Sequence, residues 1–583
     1  MRSYLGIFLG LTALACATQP NAAPAATAKT AAATAPAPLV TTDVAWRNFV
    51  DHYIEQFFEL HPSFAVTQGR HEFDGRMPDW TPAGLQKQID WLVEQRRQAL
   101  DWSDTRLSET QRFERDYLLS RIDAELFGLR DLRTPFNNPT YYFDSGLDPN
   151  VYVNVPYAPV ERRVKAFIRY AEQVPAALER VKANLQLPLP KTYVDYAAVG
   201  FKGFAEFYRN DVPLAFASAR DPELQQQLKA AIEPAAKAMT EIGAWFAGQK
   251  EFSDRGYVLG TERFAAMLKN TEAVPTPLDK LEAIGRADLT RNLETLAVAC
   301  QRYARGASLW ACVDKMNKDK PKGGAVDGAR SQLAELRNFI IAHDIVSIPG
   351  KEEAKVQEAP AYRRQNFAYI EIPGPYEHDL PSVYYIAPPD PRWPKAEQEA
   401  YIPGRADLLF TSVHEVWPGH FLQFLHSNRS DWRFGQLFVG YAFAEGWAHY
   451  AEELMIEQGI SGDAPELQVG QVLNALLRNV RFLCAIGLHT QDMTVAQCEQ
   501  MFKEKAYQDA GNARQQASRG TYDPGYLNYT LGKLMIRKLR SDWQHENPGH
   551  PLREFHDAFL ANGGPPIPLL RAKLLKQSGG ELF

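Results

Sequence analysis

Apolar residues recur along this chain mostly with the period of an α-helix. After Val44, the residues Phe49, Tyr53, Phe57 and Leu60 fall three or four positions apart, and Pro62 stops the run. That spacing predicts an amphipathic helix with a defined end. Similar spacing returns in PAGLQKQIDWLVEQRRQAL, VERRVKAFIRYAEQVPAALERVKANL, PELQQQLKAAIEPAAKAMTEIGAWF and DKLEAIGRADLTRNLETLAVAC. Adjacent segments of this kind predict antiparallel helices around a shared core. One region breaks the pattern. Between Arg363 and Asp390, the runs FAYIEI and SVYYIA are rich in β-branched and aromatic residues and are separated by Gly/Pro turns. They predict a small antiparallel sheet. Its edge could hold an extended peptide by main-chain hydrogen bonds, or the pair is a plain structural hairpin.

Composition adds limits. The 583 residues allow one elaborate domain or two lobes. A hydrophobic fraction of 45% and a charged fraction of 23% are ordinary for a soluble globular chain. The formal net charge is −6 and no Lys/Arg-rich run occurs, so nothing favours a nucleic-acid partner. The first 16 residues carry one Arg, an apolar run too short to span a bilayer, and then small residues. They read as an export leader. Either Cys16 is lipidated, or the leader is cut nearby and the protein is soluble in the periplasm. Residues 17–42 are rich in Ala, Pro and Thr and read as a flexible tether. A tether after Cys16 suits a lipid anchor at the periplasmic face or outer membrane. Residues 43–583 are then one large helical domain, with one lobe or two.

Export also predicts an oxidising compartment. Four further cysteines allow three pairings. Cys300 with Cys312 and Cys484 with Cys498 each close a short loop; the alternative is four buried thiols. No CxxC occurs, which argues against a cysteine-ligated zinc.

The chemistry concentrates in HEVWPGHFLQ, from His414. Zinc-binding histidines on one helix usually sit at i and i+4, where they share a face. Here Pro418 holds that place and the next histidine is His420. On a regular helix His414 and His420 would point about 120° apart. Pro418 cannot donate a backbone hydrogen bond and Gly419 permits unusual backbone angles. Together they predict a bulge or local unwinding that swings His420 back beside His414. A third ligand is expected from GYAFAEGWAHYAEEL, where Glu445, His449 and Glu452 lie along one helix face. Glu445 is the expected ligand, and His449 is a reserve ligand or a second-sphere or substrate group. Glu452 and Glu453 read as surface carboxylates. Ala442, Ala444, Ala448 and Ala451 would let another helix approach closely. Glu415, beside the first ligand, is placed to act as the base that activates water.

These motifs resemble those of the bacterial family known as domain of unknown function 885. HEVWPGHFLQ is similar to its HExxPGHxxQ motif and EGWAHYAEEL to its EGWxxYxE motif. HPSFAVTQGRHEFDGRMPDW, RNVRFLCAIGLHTQDMTVAQCEQMF and SRGTYDPGYLNYTLGKLMI resemble further segments, so the likeness runs through most of the chain. Gly520 and Thr521 follow Arg519 where the family usually has Tyr. The family in turn resembles zincin peptidases such as thimet-type oligopeptidases and Taq-type carboxypeptidases. The resemblance implies a mainly α, multi-helix zincin-like fold with a deep channel and a small sheet near the site. It implies a Zn²⁺ cofactor held by His414, His420 and Glu445. His489 and Tyr529 become candidate oxyanion donors, with Tyr526 as a third. Arg481, Tyr526, His449 and Arg519 become candidate substrate contacts, and Arg481 could bind a peptide carboxylate through its planar fork.

The first expectation is an exported zinc-dependent peptidase acting on short peptides. The alternatives are another zinc amidohydrolase or esterase of the cell envelope, or a non-catalytic envelope binding protein on the same scaffold. No GxSxG elbow favours a serine hydrolase. The membrane is expected as a partner only through Cys16.

Overall fold

The computed structural model describes residues 42–360, 363–364, 367–575 and 580–583. The leader, most of the tether and Cys16 lie outside the described residues. The protein is mainly helical, with one small sheet. Local signals set many helix ends. Pro62 ends the Thr42–Leu60 helix and opens the next, Pro62–Thr67, because its ring fixes a helical φ but removes a donor. Thr81 caps the Pro82–Leu100 helix by accepting from the Gly84 amide. Ser108 and Gln111 cap Glu109–Leu126 reciprocally.

The helices bury two hydrophobic cores. One runs from Trp46 to Phe246 and includes Phe434, Leu437 and Phe438 from later in the chain. The other is built mainly from residues after Tyr257. The chain therefore threads back into its first core through the Phe434–Phe438 stretch. Phe438 packs edge-on to Phe57 with ring centroids 4.9 Å apart. Further ties cross between the halves, including Tyr193 Oη donating to the Thr521 carbonyl at 2.9 Å.

The sheet comprises β1 (Ala354–Glu358), β2 (Ala368–Glu371) and β3 (Ser382–Ile386) in the order β1-β3-β2. β2 and β3 are the two β-rich runs and pair antiparallel, with Ile370 opposite Tyr384. β1 adds in parallel on the other side of β3. Its sequence, AKVQE, buries only Val356, so it carries too little apolar signal to be read as a strand. β2 packs against the helix Arg405–Glu415, here called α1.

The remaining labelled helices are α2 (His420–Ser427), α3 (Tyr441–Glu457), α4 (Pro465–Thr490), α5 (Val495–Ala506), α6 (Ala510–Tyr522) and α7 (Asn528–Glu546). Cys300 is bonded to Cys312, and Cys484 to Cys498, each with Cα atoms 5.7 Å apart. The second bridge ties α4 to α5. α3 crosses α7 where Gly446 meets Gly532; a Cβ on Gly532 would lie 2.0 Å from the Ala442 carbonyl oxygen. The close approach expected of the α3 alanines thus rests on a Gly–Gly contact beside Ala442.

Candidate metal centre

α1 ends at Glu415 and α2 starts at His420. Of the bulge or local unwinding expected there, the structure takes the second form, a full break between two helices. Val416 leaves helical angles at φ −123° and ψ −74°, and the Trp417–Pro418 peptide is cis. Gly419 has ψ −134°, and its amide donates to the Val413 carbonyl at 2.9 Å. A Cβ on Gly419 would lie 1.8 Å from the His414 carbonyl oxygen, so no larger residue fits this turn. Trp447 of α3 pins it by donating Nε1–H to the Pro418 carbonyl at 2.8 Å.

The break turns His420 back toward His414, with ring centroids 4.8 Å apart. α3 then brings Glu445 to both. Its Oε2 lies 3.2 Å from His414 Nε2 and 3.2 Å from His420 Nε2. Ligand atoms from His414, His420 and Glu445 all lie within 4.8 Å of one another, a group that could hold a metal ion. Two imidazoles and one carboxylate are the donor set of many catalytic zinc sites, which leave further positions open. The other side of the His414 ring fits that use. His414 Nδ1 lies 2.7 Å from Glu452 Oε1, the second-sphere bond that orients a ligating histidine. His420 Nδ1 is buried and has no protein partner.

Burial opposes charge on His414 and Glu445, but attraction to their neighbours overrides it. His420 and His414 hold the Glu445 carboxyl well below its ordinary range. Burial and Arg478 both disfavour a charged His414, yet Glu445 and Glu452 raise it to about 9. Glu415 is buried beside the three groups, and burial raises its carboxyl against the pull of His414 and His420. A raised carboxylate suits a base that must take a proton and later release it.

Glu452 is not a surface group. It is fully buried and receives His414, Arg478 at 3.1 Å and His449 Nδ1 at 3.2 Å. Glu453 is also buried and pairs with Arg291 and Arg537. His449 sits behind Glu452, wholly buried. Burial and the Lys533 charge push it down to about 4. It does not join the group that could hold a metal ion; wholly buried, it supports Glu452 as a neutral ring.

Tyr529 stands over His414, ring to ring at 6.1 Å. Three guanidiniums surround its ring: Arg481 at 4.8 Å, Arg478 at 5.6 Å and Arg519 at 5.9 Å. Arg519 belongs here despite the Gly520-Thr521 departure, held by Asp523 and by the Tyr441 hydroxyl. Two candidates fall away. His489 is fully buried, and both of its nitrogens face backbone carbonyls, of Tyr257 at 3.0 Å and Gly520 at 2.7 Å. Neither nitrogen is left for an oxyanion. Tyr526 is fully buried, with its hydroxyl against Cys498 and Gly520, and makes no surface for a substrate. Arg478 is the residue that motif reading missed. It lies three positions before Arg481 on α4, a spacing that put both on one helix face.

The fold and this site together define a large helical protein with a His-His-Glu group that could hold a metal ion at a broken helix. Residues 62–574 match the family described as bacterial protein of unknown function (DUF885), and the chain belongs to it. A candidate lipoprotein of unknown function from Shewanella oneidensis has 21% identity and a TM-score of 0.73, covering 91% of this chain and all of that one (100%). A candidate lipoprotein from Colwellia psychrerythraea has 16% identity and a TM-score of 0.74, covering 92% and 99%. A candidate oligoendopeptidase F is a looser likeness, at 14% identity and a TM-score of 0.39, covering 86% and 94%. No curated protein matches the chain.

Proposed function

We propose that this protein is an exported zinc-dependent hydrolase that cleaves short peptides. The observation that carries the reading is the convergence of His414, His420 and Glu445 with Glu415 beside them. A divalent ion bound there would polarise a substrate carbonyl and make water easier to deprotonate. Glu415 takes the proton from the attacking water and passes it to the leaving amine. Tyr529 offers its hydroxyl to the carbonyl oxygen as negative charge builds there. The peptide backbone lies along the outer edge of β2, which pairs with no strand among the described residues and flanks α1. The enzyme stands in the periplasm or at the outer membrane, anchored through Cys16. That placement draws on the leader and tether, and on two structural relatives being described as candidate lipoproteins. No helix among the described residues is long and apolar enough to cross a membrane.

The test is metal content and turnover on a panel of peptides, simple amides and esters. Wild type and Glu415→Gln should both retain one zinc per chain, with hydrolysis only in wild type. His414→Ala, His420→Ala and Glu445→Ala should each lose stoichiometric zinc. Equal zinc in all five proteins, or full activity in Glu415→Gln, would end the reading.

A further inference from the structure

Of the three guanidiniums around Tyr529, two already have carboxylates. Arg478 meets Glu452 at 3.1 Å and Arg519 meets Asp523 at 2.9 Å. Arg481 has none. Its Nε donates to the Gln516 amide oxygen at 2.8 Å, and it forms no ion pair among the described residues. It is nevertheless 93% covered, with a relative exposure of 7%. Burial, then the like charge of Arg519, pushes its pKa below the usual value. A buried cation without an anion is destabilising unless something compensates it. Structural arginines are paired for that reason, as the other two are.

The position of this unpaired charge gives it a use. Tyr529 lies close to both Arg481 and His414: its ring is 4.8 Å from the Arg481 Cζ and 6.1 Å from the His414 ring. The site is partly open: the Glu445 side chain is 20% exposed and that of Arg519 27%. Each extended residue spans roughly 3.3–3.6 Å. A carboxylate bound by Arg481 therefore lies roughly one to three residues from a carbonyl held at the ligand group.

Building on the hydrolase reading, we propose that Arg481 binds the free C-terminal carboxylate of the substrate. The protein then removes short fragments from peptide C-termini. The planar guanidinium offers two parallel donors to a carboxylate, and Arg519 adds positive potential beside it. An acidic side chain carries the same chemical group, so the test separates the two sources.

The binding experiment uses the full mature chain with Glu415→Gln, loaded with zinc and titrated calorimetrically. Three matched pentapeptides are compared: a free acid, its C-terminal amide, and an amide carrying an internal Glu. The free acid should bind about 10- to 100-fold tighter than either amide, as a charge-assisted pair implies. Adding Arg481→Gln should abolish that gap and leave amide affinity unchanged. Gln516→Glu should do the same by placing a carboxylate on Arg481, and it spares the arginine if Arg481→Gln misfolds. Undetectable binding of the free acid, or equal affinity for acid and amide, overturns the proposal. A gap that survives both substitutions removes Arg481 from the role. An internal Glu that binds as tightly as the free acid overturns the C-terminal assignment. Absence of hydrolysis by wild type across all three peptides would sink the hydrolase reading alone, since the binding comparison does not depend on turnover.

Discussion

Glu452 shows how much one side chain can organise. It has no exposure and accepts from His414, His449 and Arg478. These contacts hold its carboxyl well below the ordinary range although burial works against it. Its charge fixes the His414 ring so that Nε2 faces Glu445. Loss of such second-sphere partners typically costs 10- to 100-fold in metal affinity. Glu452→Gln should therefore fold, keep the three ligands and weaken zinc binding by about that factor, read by competition with a chelator. Unchanged affinity would mean that packing alone orients His414. The sequence places Glu452 seven residues after Glu445 on the same helix face, yet reading that position as surface fails because two of its three partners come from α1 and α4.

At the scale of elements, the break between α1 and α2 makes the site. A continuous helix would aim His414 and His420 about 120° apart. The turn removes that angle, and it tolerates only glycine at position 419, given the 1.8 Å separation of an added Cβ from the His414 carbonyl oxygen. Gly419→Ala should displace one histidine and eliminate stoichiometric zinc, while circular dichroism still reports a helical protein. Wild-type zinc content in that variant would show that the turn can relax without moving the ligands. Pro418 and Gly419 announced a distortion in the sequence, because both residue types disfavour a regular helix. Its form was not legible. The Trp417–Pro418 geometry and the bond from Trp447 depend on a helix that arrives almost 30 residues later.

Across the whole molecule, the first half is tied to the sheet region by His71. Its Nδ1 meets Asp74 at 3.0 Å and its Nε2 meets Glu377 at 2.7 Å, while the ring stacks on Tyr157 at 3.7 Å. Glu377 also lines a cavity of about 400 Å³ shared by the first-half segments and by β2 and β3. Burial disfavours the charged ring, but the two carboxylates raise it to about 9 from 6.5. The folded state thus holds its proton more tightly than the unfolded chain does. That stabilisation is complete below about pH 6.5 and disappears as pH rises through about 9. His71→Gln should lower the Tm at pH 6 and close most of the gap to wild type at pH 10. A gap of constant size would assign the loss to packing instead of charge.

The sequence by itself determined the helical character, two of the three strands of the sheet and the residues of a group that could hold a metal ion. Each is written in local signals: apolar period, β-branched runs, and metal-ligating types around a Pro-Gly break. It also narrowed the cysteines to a short-loop pairing that the structure contains. Tertiary structure decided what no local pattern carries. It took His489 and Tyr526 into full burial, set His449 behind Glu452, added β1 to the sheet, and left Arg481 without a carboxylate among the described residues. A titratable residue has the same local signature whether it is solvated, paired or stranded. Only the partners that the fold brings within hydrogen-bond distance, from residues tens or hundreds of positions away, determine its charge and therefore its use.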